Sequence, residues 1–142
     1  MSEQLLNRFR RCFDSFSDGD VDPARLAEVY ASDVVFEDPF RRIEGRQALT
    51  DYLQGLYANV GHCHFDFRNC WLDADSAVLA WTMELRHPRL NRGREIRVVG
   101  TSELQFADRV IRHRDCFDSN ALLFEHLPVL GSFIKFLKRR AG

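Results

Sequence analysis

Cysteine is scarce in this chain. There are four, Cys12, Cys63, Cys70 and Cys116, and no two of them form a CxxC or another paired metal spacing. Each lies among apolar neighbours, as reduced, buried thiols of a cytoplasmic protein would. An excess of one charge is also lacking. Twenty basic residues meet 21 acidic ones and leave a net charge of −1, so no global bias points to nucleic acid or to membranes. No apolar run approaches the length that crosses a bilayer. The stretch Met1 to Arg11 lacks the apolar core of a signal peptide, so export is not expected. Glycine-rich phosphate loops, a nucleophile elbow, internal repeats and low-complexity segments are all missing. Hydrophobic residues at 45% and charged residues at 29% exclude disorder, collagen and coiled coil.

What the chain has is phenylalanine. Twelve Phe, with two Trp and three Tyr among 142 residues, can build a core and line a cavity as well. Leu5, Phe9, Cys12, Phe13 and Phe16 share one helical face. Asp22 and Pro23 read as an N-cap and first helical residue, opening a second helix with Leu26, Val29 and Tyr30 inside. Ser32 and Asp33 break it. The run 34–37 is a strand that stops at Asp38-Pro39, and 40–45 reads as a loop. Arg46 to Val60 has the strongest helical period, through Leu49, Tyr52, Leu53, Leu56, Tyr57 and Val60, with Gly61 as its cap.

Beyond Gly61 the period changes to two. Phe65, Phe67 and Trp71 predict one strand face; Ala77, Leu79, Trp81, Met83 and Leu85 predict the next. Ile96, Val98, Gly100, Ser102, Leu104 and Phe106 predict a third, and Ile111, His113, Asp115 and Phe117 a fourth. Helices segregated from an antiparallel or mixed sheet mean an α+β fold: a cone-shaped curved sheet wrapped around a long helix, with a hollow between them. The expected organisation is one domain over 1–142, with the cone over 1–120 and a helical tail over 121–140. Within the tail, 129–140 reads as an amphipathic helix with Leu130, Phe133, Ile134 and Leu137 on one side and Lys135, Lys138, Arg139 and Arg140 beside them. Such a helix closes a pocket mouth, extends a dimer contact or, as the sharper alternative, rests on a membrane surface.

This order of elements resembles the nuclear transport factor 2-like superfamily, with its SnoaL-type polyketide cyclases, ketosteroid isomerase and limonene epoxide hydrolase. The residues that carry the resemblance are the run from Tyr30 to Pro39, the run from Glu44 to Leu49, and the strand end His113-Arg114-Asp115-Cys116-Phe117-Asp118. The resemblance implies a curved-sheet cone, a homodimer through the outer sheet face and no cofactor. That face would carry Val78, Ala80, Thr82, Val99 and Thr101. Function does not follow from the fold, since one fold hosts many activities.

Polar residues on apolar faces mark the candidate chemistry. Asp38, Ser102, His113 and Asp115 are four such positions. A carboxylate in an apolar hollow loses solvation and becomes a stronger base. Asp38 matches the base of ketosteroid isomerase, but Asp-Pro is also a common turn starter. That enzyme's oxyanion donors fall here at Cys12 or Phe13 and at Ser102, so its machinery is incomplete. Of the epoxide hydrolase groups only Asp115 is kept; Trp81, Met83, Phe36 and Asp38 stand at the other positions. Asp115 also matches the acid/base aspartate of SnoaL relatives, with His113 two residues away to share its proton. The expected catalytic set is therefore Asp38, Asp115 and His113. The expected pocket is lined by Phe13, Tyr30, Phe36, Tyr57, Phe67, Trp81, Met83, Ser102 and Phe117. His62-Cys63-His64 resembles a metal fragment without further ligands, so no metal is expected. Two function classes stay open: an acid/base isomerase or cyclase of a hydrophobic carbonyl compound, and a non-catalytic ligand carrier or interaction module.

Overall fold

A computed structural model describes residues 2–118 except Gly19, Asn59 and Leu90, with only the backbone described at 17 and 18. The amphipathic tail expected over 129–140 lies outside the described residues. Helix α1 (Ser2–Asp14) runs into a short 3-10 turn (Ser15–Asp18), and α2 spans Pro23–Val29. Strands β1 (Tyr30–Glu37) and β2 (Arg42–Glu44) precede α3 (Arg46–Tyr57). Then come β3 (His62–Leu72), β4 (Ser76–Arg86), β5 (Ile96–Phe106) and β6 (Val110–Phe117). The six strands form one sheet in the order β2-β1-β6-β5-β4-β3. All neighbouring pairs are antiparallel except β1 with β6, which are parallel. The fold is the α+β cone with a mixed sheet.

Local chemistry explains the junctions. The Asp22 carboxylate accepts the Ala24 N–H at 2.9 Å, and Pro23 supplies the fixed φ of a first helical residue. The helix then ends at Val29, so Tyr30 opens β1 rather than closing α2. Residues 42–44, expected in a loop, pair with β1 as β2. Helix α3 stops at Tyr57, and the Gly61 N–H bonds the Arg86 carbonyl at 2.9 Å, placing Gly61 at the sheet rather than at a helix cap.

The core lies between the sheet's inner face and the three helices. Phe9, Phe16, Leu26, Leu49, Leu79 and Leu104 are fully buried there, and each such side chain contributes about 1.5–3 kcal/mol. Along β5 burial alternates residue by residue from Ile96 to Phe106, as a sheet with one covered face requires. Two irregularities shift the alternation elsewhere. The β3–β4 register slips between Phe67 and Asn69, which turns Trp71 to the outer face, 59% exposed. The β5–β6 register slips between Gln105 and Phe106. Val110 therefore takes the inner place expected of Ile111, which is 41% exposed. One extra residue reverses the face of everything beyond it.

Gly100 sits opposite Trp81 on β4 and Phe117 on β6. A Cβ there would stand 2.5 Å from Trp81 Cη2 and 2.8 Å from the Cys116 carbonyl oxygen. The bare backbone lets the indole lie flat across β5. Gly100→Ala is expected to destabilise the fold by about 1–3 kcal/mol through overpacking and to shift Trp81 emission. Urea unfolding of both proteins checks this; equal midpoints would contradict the packing account.

Candidate active site

One hydrogen-bonded chain crosses the inner face of four strands. On β4, Trp81 Nε1 donates to Ser102 Oγ of β5 at 2.9 Å. Ser102 Oγ donates onward to Asp115 Oδ1 of β6 at 2.5 Å. His113 Nε2 meets the same Oδ1 at 2.6 Å, and His113 Nδ1 lies 2.7 Å from the Tyr30 hydroxyl of β1. The parallel β1–β6 pairing, with Phe36 opposite His113, brings the Tyr30 end of the chain within reach. Counting donors sets the protons. Tyr30 is fully buried and Nδ1 is the acceptor available to its hydroxyl hydrogen. Nε2 therefore carries the imidazole proton and donates it to Asp115. His113 is 1% exposed, stacked parallel to Tyr30 and edge-on to Phe36 and Phe9.

Asp115 receives both bonds on Oδ1, and among the described residues Oδ2 has no partner. Its side chain is 17% exposed and lines a cavity of about 100 Å³ between sheet and helices. Asp38 lines the same cavity in a different condition. Its Oδ1 accepts the backbone N–H groups of Phe40 and Arg41 at 2.8 and 3.0 Å, and its Oδ2 accepts the Tyr52 hydroxyl at 2.6 Å. The residue thus caps the turn after β1, as the turn-starter reading expects. The Arg41 guanidinium covers the Tyr52 ring 5.0 Å from its centroid.

The rest of the wall is Phe13, Phe36, Phe40, Tyr57, Phe65, Trp81 and Phe117, with Leu53, Leu56, Val60, Met83, Leu85 and His87. Six of the nine expected ligand-binding residues line it: Phe13, Phe36, Tyr57, Trp81, Met83 and Phe117. The other three stand behind the wall. Tyr30 backs His113, Ser102 bridges Trp81 and Asp115, and Phe67 stacks on Phe65 and meets Phe9. His113, expected as catalytic, reaches the cavity only through Asp115. Tyr52 and His87 were not singled out in the sequence. Tyr52 reads as one more apolar helix residue. His87 continues the inward alternation of Leu79, Trp81, Met83 and Leu85 by one step, which was the available signal. Burial and the nearby Arg89 lower its pKa, and its Nδ1 accepts the Arg89 N–H at 3.0 Å.

The Cys12 and Cys63 thiols have no part in this chemistry. Burial pushes Cys12 and Cys63 up to about 12, far from the thiolate range of reactive cysteines. The Tyr57 hydroxyl and the Cys63 thiol act on each other's ionisation. Among the described residues no group of three His, Cys, Asp or Glu side chains could hold a metal ion. None of their helices is long and apolar enough to cross a membrane.

Burial raises the Asp38 pKa, the three donated hydrogen bonds oppose the rise, and the Asp115 charge adds to it. A carboxyl whose folded pKa lies above its unfolded one binds its proton more tightly in the folded state. Its contribution to stability then falls as pH rises from the ordinary carboxyl value of 3.8 through the folded pKa. Asn at this position keeps the shape and cannot ionise. Across the range above about pH 4 the difference in unfolding free energy should therefore move in favour of Asp38→Asn. Denaturant midpoints of both proteins across that range measure it; a difference that is flat, or that moves toward the wild type, would refute the burial account.

Known proteins place this geometry. A comparison with curated proteins finds no match. Among solved structures, a candidate SnoaL-like polyketide cyclase from Shewanella putrefaciens CN-32 is 18% identical with a TM-score of 0.73, over 88% of this chain and 94% of that one. A protein of ketosteroid isomerase-like fold from Catenulispora acidiphila DSM 44928, in complex with trimethylamine, is 12% identical with a TM-score of 0.74, over 89% and 95% of the two chains. An epoxide hydrolase from M. tuberculosis, similar to the limonene enzyme, is 19% identical with a TM-score of 0.66, over 93% of each chain. At these identities the likeness is one of fold. The model of the SnoaL-like domain matches residues 9–113, and the chain belongs to that family, within the nuclear transport factor 2-like superfamily.

Proposed function

We propose that the protein binds a small, largely apolar molecule and moves a proton on it, in the manner of an isomerase or cyclase, with Asp115 as the proton carrier. The asymmetry of the two carboxylates carries this reading. Asp38 has three donors shared over both oxygens and holds a turn. Asp115 has both its donors on Oδ1, so among the described residues Oδ2 has no partner, and Asp115 lines the cavity. In such a reaction Oδ2 takes a proton from a substrate carbon and returns it at a second position, so no co-reactant is consumed. His113, held by Tyr30, is the positioning residue that fixes the carboxylate plane.

Cavity size bounds the substrate. Ligand pockets for drug-sized molecules run from about 300 to 1,000 Å³, whereas this one has about 100 Å³. A steroid or a polyketide exceeds it. The complex of a same-fold relative with trimethylamine concerns a molecule of the right scale. A carbonyl substrate also needs a donor for its developing oxyanion, and the Tyr52, Ser102 and Trp81 donors are engaged within the protein.

The expected test is hydrogen–deuterium exchange at carbon, followed by NMR for a panel of small carbonyl compounds and amines in deuterated buffer. Asp115→Asn should slow exchange of an active compound by about 100- to 10,000-fold, the range of a lost general base, with far less effect from Asp38→Asn. Equal rates for Asp115→Asn and wild type would end this reading.

The outer sheet face leaves Val99 56% and Ile111 41% exposed, which suits contact with a second copy of the chain. Light scattering at tens of micromolar is expected to give a dimer mass; a monomer mass at that concentration would exclude it.

A further inference from the structure

We propose that the ligand of this cavity is a small organic cation of the alkylammonium class, held by Asp115 and surrounded by aromatic rings. The inference rests on reading the cavity as the binding site and adds the chemistry of its occupant.

Charge is the first argument. Two carboxylates line the cavity and, among the described residues, no lysine or arginine does. The Arg41 guanidinium lies over the Tyr52 ring, and neither residue lines the cavity. His87, also in the wall, sits beside Arg89 and accepts its N–H. Asp38 and Asp115 line the same cavity. Transfer of an anion or an oxyanion into such a site is opposed by both of them.

Hydrogen-bonding capacity is the second. The Tyr52, Trp81 and Ser102 donors serve protein acceptors. Tyr52 donates to Asp38, Trp81 to Ser102, and Ser102 to Asp115. Among the described residues Asp115 Oδ2 has no partner and is left as an acceptor. A ligand that fits brings positive charge or its own donors.

The walls are the third. Phe65 meets Trp81 edge-on at 5.4 Å, Trp81 meets Phe117 at 6.2 Å, and Phe117 meets Phe40 edge-on at 5.8 Å. Rings in such an array attract a cation through their quadrupoles, by about 2 kcal/mol or more where water is excluded, and aromatic cages of this kind hold quaternary ammonium groups. Size agrees. An apolar cavity of about 150 Å³ takes a benzene, so one of about 100 Å³ takes about four heavy atoms.

The test is a titration of the full chain with trimethylammonium or tetramethylammonium chloride, and separately with tert-butanol as the neutral counterpart, at fixed ionic strength. The NMR signal of the Trp81 indole N–H is the readout. Saturable binding of a cation at least about tenfold tighter than the alcohol is expected, equivalent to about 1.4 kcal/mol. Asp115→Asn should abolish that preference. Phe117→Leu, which keeps both carboxylates and the fold's apolar wall, should weaken the cation more than the alcohol. The proposal is overturned if the alcohol binds as tightly as the cations, if neither cation perturbs the Trp81 signal, or if Phe117→Leu weakens both probes equally. Those outcomes leave the proton-carrier reading standing, because that reading fails on a different result, unchanged carbon exchange in Asp115→Asn.

Discussion

A carboxylate placed on the apolar face of a sheet must find donors within the protein, and at Asp115 that requirement organises four strands. Ser102 on β5 and His113 on β6 satisfy Oδ1, and each is itself held from behind, Ser102 by the Trp81 indole of β4 and His113 by Tyr30 of β1. Each link fixes the next. Gly100 clears the space in which the indole can lie, the indole orients the serine, and the serine and imidazole together set the plane of the carboxylate. A buried polar network that is fully satisfied rigidifies its surroundings. Among the described residues Asp115 Oδ2 has no partner, and Asp115 lines the cavity.

The two carboxylates illustrate how environment divides roles within one site. Asp38 lies at the end of β1, where the chain turns, and two backbone N–H groups and a tyrosine hydroxyl converge on it. Its charge is committed to the turn. Asp115 lies within a strand, where the ladder already uses the backbone donors, so its partners are side chains that approach from one side. The result is a small chamber with acceptors and aromatic walls, its Tyr52, Ser102 and Trp81 donors engaged within the protein, unlike a site built to stabilise an oxyanion.

Much of this was legible in the sequence, because the dominant signals were periodic. The alternation of β4 and β5, the Asp22-Pro23 helix start and the stripe from Leu49 to Tyr57 report burial directly, and burial decides the fold. Asp38, Ser102, His113 and Asp115 stand out as polar residues on apolar faces for the same reason. What escaped were features set by pairing rather than by period. The slips beside Phe67 and Phe106 reverse the faces of Trp71 and Ile111, and nothing local in the chain marks an extra residue. Tyr30 looks helical because it continues the stripe of α2. Its position opposite β6 depends on a parallel pairing with a strand some eighty residues away. Tyr52 escaped because a tyrosine in a helix stripe reads as core until its hydroxyl partner is known.

The chain of protons around Asp115 is the claim on which the account turns, and the nitrogen-15 NMR spectrum of the His113 imidazole tests it most directly. The account predicts a protonated Nε2, coupled through its hydrogen bond to Asp115, and an unprotonated Nδ1 that accepts from Tyr30. A proton on Nδ1 with Nε2 bare, or protons on both nitrogens at neutral pH, would contradict it.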